Sequence, residues 1–400
     1  MVTWTNLHGA ALGLAIAEAC RNHQGLLLVV QEDPRQLRIL ERETRFFLGE
    51  GADDNLPVFH FPSWECLPYD VFSPHQDIIS DRLRLLSRLP RVDRGILLTT
   101  SENLLQRLPP LDYVMGHSFS ISAGDQLDMD LLRHQLAQAN YVSVSQVLSP
   151  GEFAVRGGIV DVFPTGSEAP FRIDLFDDEV ESIRYFDPDT QRSSEKCNRI
   201  ELLPAREFPM TEAGIRTFRQ SFRRIFEGDP RKQTVYADVS EGHTPAGTEF
   251  FFPLFFDKTA TLFDYLPGNT LCFHNGDLND STRTRWGEIN DRHVNANYDP
   301  RRKVLPPESL YLDPGQMEDA LSRYSRIVHL PGRTDGADWS ADSRAVQQFP
   351  VNPREPSPYA RFLQHLEKAT DRVLVVCETP GRRQAMEAML ENHDQIALPC

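Results

Sequence analysis

The fold of the central region follows from GEFAVRGGIVDVFPTGSEAPFRIDLFDDEVESIRYFD, residues 151–187. Apolar and polar residues alternate along it, which is typical of strands in a sheet with one buried face. Turn residues such as PTGSEAP and DDE interrupt the alternation and separate the strands. The pattern predicts an antiparallel sheet whose second face is turned to solvent.

The segment FRIDLF, residues 171–176, indicates what each face carries. Its first, third and fifth residues are apolar and are expected to form core. Arg172 and Phe176 then lie on the solvent side, roughly 13 Å apart along the strand. Arg156 belongs to the neighbouring predicted strand, and its face stays open because the glycine pair that follows it permits a bulge or a bend. Exposed arginine and aromatic residues on a sheet are typical of protein interfaces.

A second interpretation of the two arginines stays open at this point. Arg156 or Arg172 could simply pair with Asp161 or Asp174 across the sheet, as opposite charges on adjacent strands do. The arginines would then stabilise the sheet and have no partner outside the chain. The sequence pattern does not choose between the two interpretations.

The regions on either side of this sheet alternate helix and strand patterns, which favours an α/β fold with a mostly parallel sheet. Short apolar runs at 26–30 and 96–100 (LLLVV and ILLTT) are typical of buried strands. A helix is expected from Pro34 to Gly49, and another within 211–228. A further strand is expected at 270–275.

One helix of the first region has an apparent N-terminal signature. In SPHQDIISDRLRLLSRL, Ser73 stands in N-cap position, Pro74 at the first helical position and Gln76 where a capping box requires a glutamine. The pattern predicts that Ser73 caps this helix, with Ile79 and Leu83 on its buried face.

The changes in pattern predict a domain order. We expect an α/β domain built from two segments, 1–115 and 208–335, with the antiparallel α+β module inserted at 116–207. Polar, proline-rich sequence predicts a linker at 336–357. Residues 358–400 are expected to begin a further small α/β domain.

That last region predicts a helix at YARFLQHLEKA, a strand at RVLVVCE (372–378) and a helix from Pro380. A single strand is too little to close a sheet, so we expect this domain to be incomplete and the chain to be part of something longer.

Composition narrows the functional classes. The chain has 42 basic and 58 acidic residues and a formal net charge of −16, which opposes nonspecific binding to a phosphate backbone. A protein partner with a basic face suits such a chain better. The cysteines show neither CxxC pairs nor zinc spacing, so they are interpreted as free thiols of a cytoplasmic protein. No apolar run reaches the ~18 residues of a membrane span, so no membrane association is expected.

A nucleotide site is not expected either. LHGAALGLAIAEA (7–19) opens the α/β domain where a phosphate loop would lie, but Leu14 and Ala15 follow Gly13 where a lysine and a serine or threonine are required. The RIDLFDDE segment is like a Walker B strand, yet without a phosphate loop it is better interpreted as a turn that carries acidic residues. We therefore predict no cofactor and no metal.

Four segments resemble the bacterial transcription-repair coupling factor family (Mfd). They are FPSWECLPYDVFSPHQDIISDRLRLLSRL, GEFAVRGGIVDVFPTGSEAPFRIDLFDDEVESIRYFDPDTQRS, LLPAREFP and PAGTEFFFPLFF. The resemblance runs through essentially all 400 residues. It implies a degenerate P-loop, RecA-like domain similar to that of the excinuclease subunit UvrB, with the phosphate loop lost.

The same resemblance implies that the inserted module docks UvrA, the damage-recognition subunit. By motif position it assigns the contacts to Arg156 in GEFAVRG, Arg172 in PFRID and Phe176 in DLF. It also implies that the motor domains, the RNA polymerase contacts and the DNA contacts belong to regions absent from this chain. A C-terminal autoinhibitory domain of the full-length family would cover the docking face, so this chain alone is expected to bind constitutively.

The expectation is thus a noncatalytic adaptor that recruits UvrA to stalled RNA polymerase. One alternative is an active UvrB-like ATPase that binds damaged DNA, against which the missing lysine and the negative charge argue. Another is a purely structural domain whose arginines form internal salt bridges.

Overall fold

The chain divides into two compact units, Met1–Ser343 and Arg344–Cys400. A computed structural model describes residues 1–49, 56–299, 302–332, 336–351, 357–370 and 372–391. None of the helices in those ranges is long and apolar enough to cross a membrane.

The strands, in chain order, are β1 (Val2–Thr5), β2 (Leu26–Gln31), β3 (Val58–His60), β4 (Gly95–Thr100), β5 (Arg107–Leu108), β6 (Phe119–Ser122), β7 (Val142–Ser143), β8 (Glu152–Arg156), β9 (Ile159–Val162), β10 (Phe171–Phe176), β11 (Glu179–Phe186), β12 (Ser193–Cys197), β13 (Arg199–Leu202), β14 (Ala260–Thr261), β15 (Leu271–Asn275), β16 (Ser325–Leu330) and β17 (Trp339–Ser340).

The α-helices are α1 (Ala11–Asn22), α2 (Pro34–Leu48), α3 (Gln76–Arg88), α4 (Ser101–Leu105), α5 (Leu111–Gly116), α6 (Met129–Gln138), α7 (Glu212–Ile225), α8 (Thr234–Ser240), α9 (Leu262–Tyr265), α10 (Leu278–Ala296), α11 (Pro307–Leu310), α12 (Pro314–Leu321), α13 (Ala360–Lys368) and α14 (Pro380–Glu391). Short 3₁₀ helices lie at Leu89–Arg91, Pro230–Lys232 and Thr248–Phe255.

A seven-stranded parallel sheet organises the first unit, in the order β17-β1-β16-β15-β2-β4-β3. Its central strands β2 and β4 are buried along their whole length, because helices cover both faces of a parallel sheet. Strands from both sides of the inserted module therefore join one sheet. The predicted α/β class with a parallel sheet is confirmed.

The inserted module is built on a second sheet, in the order β12-β11-β10-β9-β8-β7. Its strands pair antiparallel except for β7, which runs parallel to β8. One face packs against α6 and the small β6-β13 sheet through a core that includes Val160, Ile173 and Ile183. PTGSEAP connects β9 to β10, which pair as a hairpin. The prediction that Arg156 lies on the strand next to FRIDLF is wrong, because Arg156 is on β8 and β9 lies between β8 and β10.

A fully enclosed charged cluster joins α3 to the segment that leaves the module. We call Arg82, Glu207, Trp64 and Gln106 the sealed network. Arg82 is completely buried, and its Nε lies 2.8 Å from Glu207 Oε1. Trp64 Nε1 donates to the other carboxylate oxygen at 2.8 Å, and Arg82 Nη2 donates to Gln106 Oε1 at 3.0 Å. Both carboxylate oxygens of Glu207 and all three nitrogens of the Arg82 guanidinium thus have partners despite their burial.

The predicted cap of α3 is wrong. The helix begins at Gln76, and His75 is its N-cap residue. The Ser73 hydroxyl instead donates to Glu249 at 2.6 Å, and the Gln76 side chain donates to the Ala205 carbonyl at 2.7 Å. The side chains of Ser73 and Gln76 donate to residues that are distant in the sequence, so they do not form a local capping box. A local sequence pattern does not reveal such distant partners.

Part of the predicted linker belongs to the parallel sheet. Trp339 and Ser340 form β17 beside β1, and the Ala341 amide donates to Thr5 O at 3.1 Å. Residues 352–356 of that predicted linker lie outside the described residues.

The strand predicted at RVLVVCE is wrong. Residues 372–377 form no strand within the described range 372–391, and Leu374 and Val376 are strongly exposed. An apolar run becomes a strand only when another strand satisfies its backbone hydrogen bonds. The flanking helices α13 and α14 are present as predicted, while residues 392–400 lie outside the described ranges.

Candidate protein interface

The candidate site is the face of the six-stranded sheet that points away from the module core, which we call the outer face. Register places Asp161 of β9 beside Arg172 of β10, and Arg172 beside Arg184 of β11. Lys196 of β12 continues this row next to Arg184. Polar side chains collect here because alternation sends the apolar residues of the same strands into the core.

Arg172 is held at four points on the outer face. Its Nε and Nη2 donate to the two carboxylate oxygens of Asp161 at 2.7 and 2.9 Å, the parallel geometry that makes arginine–carboxylate pairs strong. Its Nη1 lies 3.2 Å from Gln191 O and 3.4 Å from Ser193 Oγ. The guanidinium also lies 5.0 Å from the ring centroid of Phe186. The hydrogen bond with Asp161 is the main reason that the pKa of Arg172 is raised.

Arg156 shares the same carboxylate but stays more open. It is the last residue of β8, and the glycine pair 157–158 forms the tight turn into β9, with Gly157 at φ +61°. Its Nη2 donates to Asp161 Oδ2. Its side chain is 52% exposed, against 19% for Arg172. Within the described residues, Nε and Nη1 of Arg156 make no hydrogen bond, so they remain available to a ligand.

Phe176 supplies an apolar group at one end of the outer face. It ends β10 just before a two-residue turn, and its side chain is 72% exposed. Ile159 lies opposite both Arg156 and Asp174 in the strand register and is 37% exposed. The outer face therefore combines open arginine donors with two apolar side chains, a composition that is common at protein interfaces.

The structure brings the three predicted residues onto one face and shows what each touches. The salt bridge of the second interpretation is present, because both Arg156 and Arg172 pair with Asp161. Asp174 instead accepts from the Ser182 hydroxyl at 2.8 Å. The role of the three residues as partner contacts remains a prediction.

The sequence indicated Asp161 as a possible partner of one arginine, and the structure shows that it pairs with two. It is fully buried although it carries a charge. A signal was present, since a single acid interrupts the apolar run of β9. Buried charges require partners, and here two arginines provide them.

The loop between β1 and α1, where a phosphate loop would lie, has its polar groups engaged within the chain. The His8 amide donates to Ser343 Oγ at 3.1 Å, and that hydroxyl donates to Asn6 O. Gly13 lies inside α1, where a side chain would meet Glu43 Cβ of α2 at 2.6 Å. This glycine allows the close approach of two helices, which is a packing role.

The module that carries the outer face is similar to a known protein family. Residues 119–208 match the family model of the UvrB interaction domain. The chain is 38% identical over 389 residues to the transcription-repair-coupling factor of Escherichia coli, covering 96% of this chain and 33% of that protein.

Two further relatives have the same description. The transcription-repair-coupling factor of Haemophilus influenzae is 39% identical over 390 residues, covering 96% of this chain and 33% of that protein. That of Rickettsia prowazekii is 29% identical over 313 residues, covering 76% and 27%.

Residues 119–208 thus match the UvrB interaction domain, in a chain that matches the N-terminal region of the transcription-repair coupling factors. The chain spans about a third of the length of the curated relatives from Escherichia coli and Haemophilus influenzae. The UvrB interaction domain begins at the first residue of β6 and includes the whole outer face, with Arg156, Arg172 and Phe176. The family resemblance predicted from the sequence is confirmed.

Proposed function

We propose that this chain is a noncatalytic docking module that recruits UvrA in transcription-coupled repair, and that UvrA binds the outer face. The observation that carries the proposal is the position of this face within the UvrB interaction domain. It presents two arginines and a phenylalanine that is 72% exposed. Exposed arginine and aromatic side chains are the usual anchors of protein interfaces.

The three residues would contribute in different ways. Arg156 has unoccupied donors within the described residues and would make charge-assisted hydrogen bonds to carboxylates on UvrA. Phe176 would bury its ring against an apolar pocket of the partner. Arg172 is more enclosed and already holds Asp161, so it would contribute its one remaining N–H group and the positive potential of the face.

The noncatalytic part of the proposal rests on the β1–α1 loop. Leu14 and Ala15 replace the residues that would bind phosphate and magnesium. The His8 amide already donates to Ser343 Oγ at 3.1 Å. A titration with magnesium and ATP tests this part: we expect no saturable binding, and saturable binding would favour the UvrB-like ATPase instead.

Recruitment to stalled RNA polymerase would depend on regions outside this chain, and so would any contact with DNA. In a full-length protein, an autoinhibitory C-terminal domain would cover the outer face. With this chain alone, we therefore expect UvrA binding without an activation step.

Size-exclusion chromatography of the chain mixed with UvrA tests the proposal. We expect a complex that elutes before either protein. The chain with Arg172→Ala and Phe176→Ala should elute separately from UvrA while keeping its own elution volume. Separate elution of the unaltered chain and UvrA would contradict the proposal and would favour a purely structural module.

A further inference from the structure

We propose that Asp161 is a positioning residue for partner binding: a buried carboxylate that holds the guanidinium groups of Arg156 and Arg172 in the arrangement that UvrA recognises. The inference rests on the proposed function. It concerns a residue that is fully buried and therefore cannot touch the partner itself.

Asp161 accepts hydrogen bonds from both arginines and so limits where each guanidinium group can lie. Its two oxygens accept from Nε and Nη2 of Arg172 at 2.7 and 2.9 Å, and Oδ2 also accepts from Nη2 of Arg156. Arg172 lies directly opposite Asp161 in the register, whereas Arg156 reaches it from the end of the next strand. One carboxylate thus fixes two long side chains that come from different strands.

Preorganisation is the physical benefit. An arginine side chain that is free in solution loses rotamer freedom when a partner binds it, and this loss weakens the complex. Asp161 imposes that order before binding. It also allows two guanidinium groups to lie close together, since without a carboxylate between them their charges would repel.

An asparagine at position 161 would reverse both effects while nearly keeping the shape. Its amide oxygen can still accept hydrogen bonds but carries no negative charge, and its amide nitrogen is a donor that would face the donor Nε of Arg172, which now bonds to Oδ1. The arginines would then move apart and become mobile. The positive charge of the outer face would rise at the same time, which favours the approach of an acidic partner.

These two consequences act on different rate constants. Loss of positioning should increase the dissociation rate, whereas the extra positive charge should leave the association rate unchanged or slightly higher. A general disruption of the module would instead lower the fraction of active protein. The kinetic signature therefore separates positioning from a merely structural role.

Asp174 provides a matched control. It lies on β10, on the same face of the sheet as Asp161, and its replacement by asparagine changes the net charge by the same amount. Its hydrogen bond at 2.8 Å goes to the Ser182 hydroxyl, and its nearest arginine is Arg184 at 3.9 Å rather than either of the two candidate contacts. An effect of charge alone would appear equally in Asp174→Asn and Asp161→Asn.

Surface plasmon resonance with immobilised UvrA provides the test. We expect Asp161→Asn to raise the dissociation rate about tenfold, which corresponds to about 1.4 kcal/mol, with an unchanged or higher association rate. Asp174→Asn should leave the dissociation rate within about twofold. In a chain that already carries Arg156→Ala and Arg172→Ala, and that circular dichroism shows to be folded, Asp161→Asn should not raise the dissociation rate further, because the side chains that it positions are gone.

A second variant covers the case in which Asp161→Asn does not fold. Arg172→Lys keeps the charge but loses the two parallel hydrogen bonds to Asp161, and it should raise the dissociation rate about threefold to tenfold.

The inference is contradicted if Asp161→Asn and Arg172→Lys both bind like the unaltered chain while the double arginine variant binds weakly. It is also contradicted if Asp161→Asn weakens binding equally in the double arginine background. Absence of binding by the unaltered chain contradicts the proposed function itself.

Discussion

The chain contains two arginine–carboxylate networks that use the same chemistry in different surroundings. In the sealed network, Arg82 and Glu207 are both buried, and aromatic rings cover the guanidinium. On the outer face, the carboxylate of Asp161 is equally buried, but its arginine partners Arg156 and Arg172 remain open to solvent on one side.

This contrast separates a structural role from a binding role. The sealed network joins α3 to the segment that leaves the module, and no partner could reach it without unfolding. The outer-face network also stabilises its sheet, but the guanidinium groups keep an accessible surface. A salt bridge seen in a structure is therefore compatible with a docking function when the arginine, and not only the acid, stays exposed.

The largest expected effect is on folding, at the sealed network. Arg82→Ala should lower the free energy of unfolding by about 3–5 kcal/mol, because it leaves the Glu207 carboxylate buried without its charged partner. Denaturant unfolding followed by circular dichroism measures it. Arg133→Ala on α6 is the control, since Arg133 is half exposed and forms a surface pair with Asp130 at 3.5 Å, so it should cost less than about 1 kcal/mol. Equal losses would remove the distinction between sealed and open arginines.

The next effect is on binding, at Phe176. Phe176→Ala should weaken UvrA binding by about 2 kcal/mol and leave the unfolding free energy nearly unchanged, because the ring is mostly exposed in the free chain. Isothermal titration calorimetry measures the affinity. Phe46→Ala provides a control of equal chemistry, since Phe46 on α2 is 78% exposed and lies outside the UvrB interaction domain. A loss of affinity in Phe46→Ala as large as in Phe176→Ala would count against the outer face.

Arg156 should show a smaller effect that depends on salt. Arg156→Ala is expected to reduce UvrA affinity by about 1–2 kcal/mol at low salt and by less at high salt, because part of its contribution is electrostatic. Titrations at several ionic strengths measure this. Arg184→Ala removes the same charge from β11, which is separated from β8 by two strands, and should change affinity less. If both variants lose the same affinity for UvrA, the net charge of the face governs binding and the position of the Arg156 guanidinium does not.

Ile159 gives the smallest expected effect. It lies opposite Arg156 on the outer face and is partly exposed, so Ile159→Ala should cost about 0.5–1 kcal/mol of UvrA binding through lost apolar area. Leu131→Ala on α6 serves as the reference, because α6 packs on the opposite side of the sheet. Calorimetry should find no change for Leu131→Ala, and a loss there would extend the interface beyond the outer face.

Much of the fold could be predicted from sequence where local pattern and tertiary environment agree. The buried runs of β2 and β4 and the alternation in β10 are of this kind. Prediction was wrong where distant residues decided the outcome. Ser73 had every local feature of a cap but donates to Glu249 instead. The 372–377 run has the apolar character of a strand without a pairing partner in the described residues.

The candidate site shows the same limit. Alternation predicted that Arg172 and Phe176 share a face, because side-chain direction has a period of two in a strand. The face of Arg156 could not be predicted, since it depends on the turn at Gly157. That both arginines converge on Asp161 depends on the pairing order of three strands, which is a property of the sheet as a whole.

The most direct test of the outer face as a docking surface is a calorimetric titration of UvrA with the chain carrying Arg156→Ala and Phe176→Ala. These two changes leave the Asp161–Arg172 pair in place, so denaturant unfolding should match that of the unaltered chain. We predict an affinity for UvrA at least about a hundredfold weaker than that of the unaltered chain. An unchanged affinity at equal stability would contradict the account.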